Sequence, residues 1–223
     1  MSDPLQVYIG IESGTSESVT PCLISAAAIS RHTRHSVCCN SLAVPSLAQP
    51  GRRETIWSLL RKYPMPLVYI DYNQLVLGDV GELFGLLDVL PDFTALAPYI
   101  RKQHWVKTER HIYRIPAVAP VIMRALSGEE DEDVSSLPAR WYQTGEKGRL
   151  STEAALLSYA ADELPWQQPR EPLARYWHEE LRHALARRVI SPDCLWKNIR
   201  EGHVASFYAS YLDALPKSCG AAV

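Results

Sequence analysis

The feature that most constrains the fold is a short apolar run that ends abruptly in polar residues. Residues 67–70 are all apolar or aromatic, and Asp71, Tyr72 and Asn73 follow them directly. An apolar run of this length without alternating polar residues is typical of a strand that is buried on both faces of a sheet. The polar residues then lie at the carboxyl end of that strand. The run therefore predicts a sheet that is covered on both faces.

Signals for strands and helices alternate along the first hundred residues. β-Branched and aromatic residues predict strands at residues 7–11, 37–44, 67–70, 75–77 and 93–97. Helices are expected at residues 22–29, with Thr20 as a candidate cap, at residues 53–62, and after Asp79, which can cap a short helix. The alternation predicts one α/β domain over residues 1–215, with a mixed, mostly parallel sheet and helices on both faces.

The last fifty residues carry helical signals. Apolar residues recur at helical spacing over residues 173–189. Ser191 and Pro192 form a cap and first-turn pair for a further helix, and Gly202 stands where a C-cap glycine belongs. The sequence therefore predicts a helical C-terminal segment.

We expect three aromatic and aliphatic side chains, Trp177, Leu181 and Trp196, to pack this segment. Leu195, Trp196 and Ile199 are expected to share one helix face. The acidic residues within 128–136 predict a solvated loop, and residues 216–223 are expected to form a frayed tail.

The composition excludes several classes of protein. The chain has 223 residues, 47% of them hydrophobic, and a formal net charge of -2. This charge provides no general attraction for nucleic acid, and no apolar run approaches the roughly 20 residues that span a bilayer. The N-terminus lacks the pattern of a secretory signal, which favours a cytoplasmic location. Five cysteines without a C-x-x-C pair favour reduced thiols over disulfides.

Asp71 is the leading candidate for a functional residue. In an open α/β sheet, ligands bind outside the carboxyl ends of the strands. A carboxylate at this position, with the amide oxygen of Asn73, offers the oxygen ligands that Mg²⁺ or Mn²⁺ prefers beside a diphosphate. The alternative is a turn in which Asp71 and Asn73 only satisfy their own backbone. The tripeptide by itself does not distinguish the two interpretations.

Four separated segments carry recognisable motifs. Residues 7–13 approximate V-F/Y-I-G-Y-D-S, with Ile11 and Glu12 in place of the usual Tyr and Asp. Residues 68–84 approximate Y-L-D-x-D-M-L-V-x-x-D-I-x-E-L and match it at Asp71, Leu75, Val76, Asp79, Glu82 and Leu83. Residues 137–141 read L-P-x-x-W, and residues 165–177 approximate P-W-x-x-P-x-x-P-L-x-x-x-W.

Together these segments resemble the nucleotide-sugar glycosyltransferases of the GT-A fold, especially the family 8-like group. The resemblance implies that the segment from Tyr8 through Ile9, Gly10 and Glu12 to Ser13 binds the nucleotide base and ribose. It also implies that Asp71 and Asn73 face the ribose and diphosphate and hold Mn²⁺ or Mg²⁺. Pro165 and Trp166 would close the donor pocket.

The chain departs from this family at the expected metal ligands. Asn73 stands where the second Asp of the D-x-D motif is usual. If residues 156–160 align with L-L-H-Y-T, Ser158 replaces the metal-binding His. Metal affinity is then expected to fall well beyond tenfold. We find no counterpart of the family's acceptor-side segment. The departures indicate either metal-independent donor binding or lost catalysis.

A basic and aromatic stretch offers a replacement for the metal. Residues 101–114 contain five Lys or Arg side chains, including Lys107 and Arg110, interleaved with Trp105 and Tyr113. Cationic side chains can neutralise a departing diphosphate, so Lys107 and Arg110 are candidate donor-binding residues. The alternatives are stacking on nucleic acid and a solvated, mobile loop.

Other chemistry receives less support. His32, His35, Cys38 and Cys39 have zinc-ligand side chains, but adjacent strand residues such as Cys38 and Cys39 point to opposite faces. No Ser or Cys lies in a nucleophile elbow, and no catalytic residue is assigned. For Trp166 we expect core packing in preference to stacking on a sugar, although its sequence context is that of a binding site.

The leading hypothesis is transfer of a hexose from a nucleoside-diphosphate sugar to an acceptor hydroxyl. The acceptor is a glycan, a lipid-linked sugar or a protein, and nucleic acid is not expected to be a partner. The alternative is a catalytically degenerate protein that keeps the glycosyltransferase fold as a binding or scaffolding module, since folds outlive their functions.

Overall fold

A computed structural model describes residues 4–12, 19–45, 67–88, 94–98, 103–107, 112–116, 121–123, 133–137, 139–141, 143, 149–160 and 162–213. The strands are β1 Leu5–Glu12, β2 Val37–Val44, β3 Leu67–Ile70, β4 Gln74–Val76, β5 Thr94–Pro98, β6 Gln103–Lys107, β7 Ile112–Pro116, β8 Val121–Met123, β9 Asp133–Leu137 and β10 Leu156–Ser158. The α-helices are α1 Val19–His32, α2 Gly81–Asp88, α3 Ala174–Ala186, α4 Pro192–Arg200 and α5 Ala209–Asp213. Short 3-10 helices occupy Ala139–Trp141 and Ser206–Tyr208.

The main sheet is mixed and mostly parallel. In the described part of the chain its strand order is β2-β1-β3-β8-β5-β9. The strand β8 is antiparallel to both of its neighbours, whereas the β1–β2, β1–β3 and β5–β9 pairs are parallel. Two-stranded antiparallel sheets are formed by β4 with β10 and by β6 with β7. The predicted α/β class with a mixed, mostly parallel sheet is confirmed.

Strand β3 lies at the centre of the described core. All four of its residues are buried, so both faces of the sheet are covered here, as the uninterrupted apolar run predicts. Alternate residues of β1 and β3 share one face because the side-chain period of a strand is two. That face packs against α1 and α2 through Val7, Ile9, Val68, Ile70, Cys22, Ile29 and Leu83.

A second core joins α1 to the C-terminal helices. Its buried members include Ile24, Ala28, Trp166, Trp177, Leu181, Ala184, Leu185, Leu195 and Tyr208. At its edge, the Arg31 guanidinium of α1 forms an ion pair with the buried Glu180 carboxylate of α3. His32 Nε2 lies 3.2 Å from the same carboxylate oxygen. Apolar packing and a buried ion pair therefore both connect the two helices.

The helix signals of the C-terminal segment are mostly confirmed. Ser191 caps α4 by accepting a hydrogen bond from the Cys194 N–H, and Pro192 is its first residue. Gly202 has a φ of +79° and completes a Schellman motif, in which His203 N–H donates to the Asn198 carbonyl.

The capping role expected of Asp79 at the start of α2 is also confirmed, because its Oδ1 accepts from the Gly81 N–H at 2.8 Å.

The prediction that Trp196 packs the C-terminal segment is wrong. Its side chain is 46% exposed, whereas Leu195 is buried and Ile199 packs at the edge of the core. Successive helix residues are about 100° apart, so Trp196 is turned away from the face that Leu195 and Ile199 share. Trp177 and Leu181 are buried as expected.

Three further expectations need correction. Thr20 lies within α1, which begins at Val19, and so does not cap it. The predicted loop at residues 128–136 contains most of β9, because parallel pairing with β5 stabilises a strand there. Within the basic stretch, residues 103–107 form β6 and residues 112–114 begin β7, and the two strands pair antiparallel, so these described residues are strand residues and not a loop. The helix expected at residues 53–62 and the tail at 216–223 lie outside the described residues.

Candidate active site

Asp71 and Gly10 meet at the carboxyl edge of the parallel strands. Ile9 of β1 pairs with Ile70 of β3, so Gly10 and Asp71 follow side by side. A Cβ atom on Gly10 would overlap the Tyr69 hydroxyl and lie 3.0 Å from Asp71 Oδ1. Only glycine lets these two polar groups pack against the β1 backbone. The structure thus brings the two sequence-predicted residues Gly10 and Asp71 together, with Tyr69 as an additional neighbour.

The turn after β3 is closed by its own polar groups. The Tyr72 N–H donates to Asp71 Oδ1 at 2.9 Å, and the Gln74 N–H donates to the Asp71 carbonyl at 2.9 Å. The Asp71 N–H in turn donates to Gln74 Oε1 at 2.8 Å. Asp71 is 4% exposed. The hydrogen bonds expected of a turn in which Asp71 satisfies its own backbone are therefore present.

Asn73 is fixed to residue 159 by two reciprocal hydrogen bonds. Its Nδ2 donates to the Tyr159 carbonyl at 2.7 Å, and the Tyr159 N–H donates to the Asn73 carbonyl at 2.9 Å. The residue is 1% exposed, and within the described part of the chain its Oδ1 has no hydrogen-bond partner. The side-chain amide therefore acts as a donor that holds the turn against the chain beyond β10.

Ser158 lies beside this turn, where the alignment with the family's His places it. In the antiparallel pair of β4 and β10, Ser158 is opposite Gln74. Gln74 Nε2 donates to Ser158 Oγ at 3.1 Å. The structure thus brings Asp71, Asn73 and Ser158 together. Sequence reasoning missed Gln74, whose amide links Ser158 to the Asp71 backbone.

Tyr72 connects the turn to two other predicted site residues. Its hydroxyl donates to Glu12 Oε2 at 3.2 Å, and its ring centroid lies 5.9 Å from that of Trp166. The end of β1 at Glu12 therefore contacts the turn. Within β1, the side chain of Ile9 belongs to the buried core, and Tyr8 pairs with Tyr69.

Pro165 and Trp166 form part of the packing between the turn and the C-terminal segment. Trp166 is buried, with its ring centroid 6.0 Å from that of Trp177, so core packing is confirmed for it. The Pro165 carbonyl accepts a hydrogen bond from the buried Tyr208 hydroxyl at 2.6 Å. Burial raises the pKa of Tyr208 well above its ordinary value, so this phenol is neutral and available as a donor.

Three predicted donor-binding residues receive only partial description or none. Lys107 is the last residue of β6 and pairs with Ile112 of β7. Ser13 and Arg110 lie outside the described residues. The roles expected of these three residues stay predictions.

The donor set at the turn does not fit a divalent cation. The resemblance assigns three positions to metal binding. They carry a carboxylate at Asp71, an amide at Asn73 and a hydroxyl at Ser158. Proteins usually bind Mg²⁺ through one or two carboxylates together with substrate phosphates. The carboxylate of this set, that of Asp71, is 4% exposed and already accepts a hydrogen bond from the Tyr72 N–H. Over the described ranges, no three His, Cys, Asp or Glu side chains are grouped to hold a metal ion, and this includes the region of His32, His35, Cys38 and Cys39.

Comparisons with known proteins identify the fold. No protein-family model matches the sequence, and no curated protein matches it. The chain is similar to the solved structure of the galactosyltransferase LgtC in complex with donor and acceptor sugar analogues, with a TM-score of 0.51 and 11% identity. That match covers 79% of this chain and 95% of the other. The chain therefore has the GT-A glycosyltransferase fold.

A second similar structure is the apo form of the glycosyltransferase GlyE from Streptococcus pneumoniae TIGR4. Its TM-score is 0.48 with 12% identity, and the match covers 85% of this chain but 65% of GlyE. The chain thus spans just under two thirds of the length of that protein. Within the residues that the structure describes, no helix is long and apolar enough to cross a membrane.

Proposed function

We propose that the protein is a family 8-like hexosyltransferase that uses a nucleoside-diphosphate sugar as donor. In this reaction the bond between the anomeric carbon and the diphosphate oxygen breaks, and the nucleoside diphosphate leaves with the electron pair. A bond forms between the anomeric carbon and an acceptor hydroxyl oxygen, which loses its proton. The acceptor is a glycan, a lipid-linked sugar or a protein.

One observation supports this proposal most strongly. The Asp71 carboxylate lies against the bare backbone of Gly10 at the carboxyl edge of two adjacent parallel strands. This edge is where open α/β sheets bind their ligands. In a chain with the GT-A fold, a carboxylate at this edge is suited to bind the hydroxyls of a ribose or a sugar.

The donor is assigned to the surroundings of this turn. The stretch from Tyr8 to Ser13 would contact the base and ribose, and Asp71 with Asn73 would face the ribose and diphosphate. The hydrogen bond from Tyr72 to Glu12 supports this arrangement because it brings the end of β1 to the turn. Pro165 and Trp166 lie next to the same region, because the Trp166 ring is close to the ring of Tyr72.

The charge of the diphosphate would be met by Lys107 and Arg110. The joint change Lys107→Ala with Arg110→Ala is expected to weaken nucleotide-sugar binding by about 1.5–3 kcal/mol for each charged hydrogen bond lost, or less where the pair stays solvated. Binding that is insensitive to both changes would remove these residues from the donor site.

The proposal is tested by thermal shift with UDP, GDP and their sugars, each with and without Mn²⁺. A ligand at 100 times its dissociation constant stabilises a fold by about 2.7 kcal/mol. We expect one nucleotide to stabilise the wild type and to lose this effect in Asp71→Asn. The control is Asp213→Asn, which removes one negative charge at an exposed position of α5.

The same measurement decides between transfer and the scaffold alternative. A protein that no nucleotide or nucleotide sugar stabilises lacks the donor site, and this outcome would favour the binding or scaffolding module. A nucleotide that binds is then offered as its sugar to a panel of glycan, lipid-linked and peptide acceptors. Release of the nucleoside diphosphate with glycosylated product identifies the hexose and the acceptor.

A further inference from the structure

We propose that the turn at Asp71 binds its ligand without a divalent cation, because side-chain amides connect the positions that a metal would need. The inference rests on the proposed function in one respect, namely that the ligand is a nucleoside diphosphate or its sugar. It goes beyond that function by assigning structural roles to Asn73 and Gln74.

The first step is the orientation of the Asn73 amide. A backbone carbonyl only accepts hydrogen bonds, so the group that lies 2.7 Å from the Tyr159 oxygen must be the NH₂ of Asn73. A carboxylate at this position would place a negative oxygen against that carbonyl. The structure therefore specifies an amide at residue 73 and disfavours an acidic metal ligand there.

The second step is the accessibility of the remaining amide oxygen. Asn73 Oδ1 has no hydrogen-bond partner among the residues that the structure describes, yet it is buried from solvent. Mg²⁺ gives up its water ligands reluctantly and usually keeps several of them when bound to proteins. A hydrated cation therefore has no open path to this oxygen in the described arrangement.

The third step concerns Ser158 and Gln74. The Gln74 amide contacts both sides of the turn, since its Nε2 donates to Ser158 Oγ and its Oε1 accepts from the Asp71 N–H. The Ser158 hydroxyl thus accepts a hydrogen bond at the position where the resembled family has an imidazole. The amides of Asn73 and Gln74 fasten the turn to β10 and the residue after it.

Asp71 is then the single carboxylate of the set. Glu12 is connected to the turn through Tyr72, whose hydroxyl donates a hydrogen bond to Glu12 Oε2. One buried carboxylate with one buried amide oxygen adds few protein ligands to those that the phosphates of the nucleotide offer a dication, so the turn is a weak site for it. A ligand hydroxyl, in contrast, needs a single acceptor oxygen and no cation between the partners, and Asp71, although 4% exposed, supplies a carboxylate for this contact.

The test uses Mn²⁺ alone as its first probe. Electron paramagnetic resonance measures free Mn²⁺ while it is titrated into wild type, Asp71→Asn and Asp213→Asn. We expect the three titrations to agree within about twofold. A loss of Mn²⁺ affinity of at least about tenfold in Asp71→Asn, but not in Asp213→Asn, would overturn the inference.

The second arm needs no variant and so does not depend on how Asp71→Asn folds. Calorimetry measures UDP and GDP binding to wild type in EDTA and in Mn²⁺, and we expect the two affinities to agree within about threefold. Binding that appears only with Mn²⁺ would reject the inference and keep the proposed function. If neither nucleotide binds in either buffer, the proposed function fails, and the Mn²⁺ titrations alone decide whether the turn holds a cation.

Discussion

Asn73 and Tyr159 exchange two hydrogen bonds, one from side chain to backbone and one from backbone to backbone. This reciprocal pair joins the turn after β3 to the residue after β10. These hydrogen bonds explain why an amide side chain is present at residue 73, which the comparison with the D-x-D motif does not explain. Asn73, which replaces the second Asp of the D-x-D motif, therefore helps to hold the turn in place.

Restoring an acidic residue at this position is expected to destabilise the protein. Asn73→Asp loses the donor to the Tyr159 carbonyl and buries a carboxylate, with an expected cost of at least about 2 kcal/mol at pH 7. The deficit should shrink as the pH falls from 7 to 4, because a protonated carboxyl group can donate again. Urea unfolding at both pH values measures it.

The matched control for this change is Gln167→Glu, which introduces the same charge at an exposed position. Its effect should stay within about 0.5 kcal/mol. Equal stability of Asn73→Asp and wild type at pH 7 would contradict the role assigned to the amide.

The close approach at Gly10 predicts a specific coupling with Tyr69. Gly10→Ala introduces a Cβ that overlaps the Tyr69 hydroxyl, and we expect a loss of about 1–3 kcal/mol from this overpacking. Tyr69→Phe removes the overlapping oxygen. Its loss of unfolding free energy should therefore be smaller in the Gly10→Ala background than in the wild type. A double-mutant cycle of unfolding free energies measures this coupling, and strict additivity would argue against the contact.

The end of α3 offers a stabilising change. Arg188 has a φ of +58° and occupies the left-handed position of a Schellman motif, in which the Val189 N–H donates to the Ala184 carbonyl. A side chain at this position costs roughly 1–2 kcal/mol, which Arg188→Gly should partly recover. Thermal unfolding should therefore show a higher Tm.

The preceding residue is the control for this prediction. Arg187 has a φ of -87°, which any residue adopts readily. Arg187→Gly is expected to destabilise the protein slightly, because glycine loses more backbone entropy on folding. Similar effects of the two glycine substitutions would show that backbone conformation does not limit stability here.

The ion pair between α1 and α3 predicts a dependence of stability on pH. Burial raises the pKa of Glu180, but hydrogen bonds from His32 and Arg31 outweigh burial and bring that pKa below its ordinary value. A lowered folded-state pKa gives stability that is present above the unfolded-state pKa and is lost as the pH falls through the folded-state value. Glu180 should therefore stabilise the fold at pH 7 and contribute less below about pH 4.

Glu180→Gln measures this contribution. The charged hydrogen bonds to Arg31 and His32 weaken, with an expected loss of about 2 kcal/mol at pH 7 that declines at acid pH. The neighbouring Glu179→Gln is the control, because the Glu179 side chain is 56% exposed and its ion pair with Arg31 is worth little. A loss in Glu180→Gln that is equal at pH 7 and pH 3.5 would contradict the assignment.

Local signals in the sequence predict much of the fold because each has a local cause. The run at residues 67–70 is apolar since both faces of β3 are buried, and Gly202 is a glycine where the backbone turns left-handed. Arg188 carries no such signal, although it adopts a similar conformation. The end of α3 was therefore not predictable, and the pattern over residues 173–189 overestimates its length.

Long-range pairing explains the larger errors. The charges within residues 128–136 favour a loop when only neighbours in the sequence are considered, but β9 is stabilised by pairing with β5. The same limit applies to the candidate site. Asp71, Asn73 and Ser158 could be selected from motifs, whereas the partners of Gln74 and Tyr69 depend on strand register, which the motifs do not contain.

The Asn73–Tyr159 pair has a consequence for synthesis of the chain. The two residues are 86 positions apart, so during translation the turn emerges from the ribosome long before the carbonyl that secures it. Local contacts form early, whereas this closure waits for β10. A nascent or truncated chain that stops before residue 159 carries Asp71 but leaves its turn unfastened. The ligand binding that we propose for this turn therefore requires a chain that has been synthesised beyond residue 159.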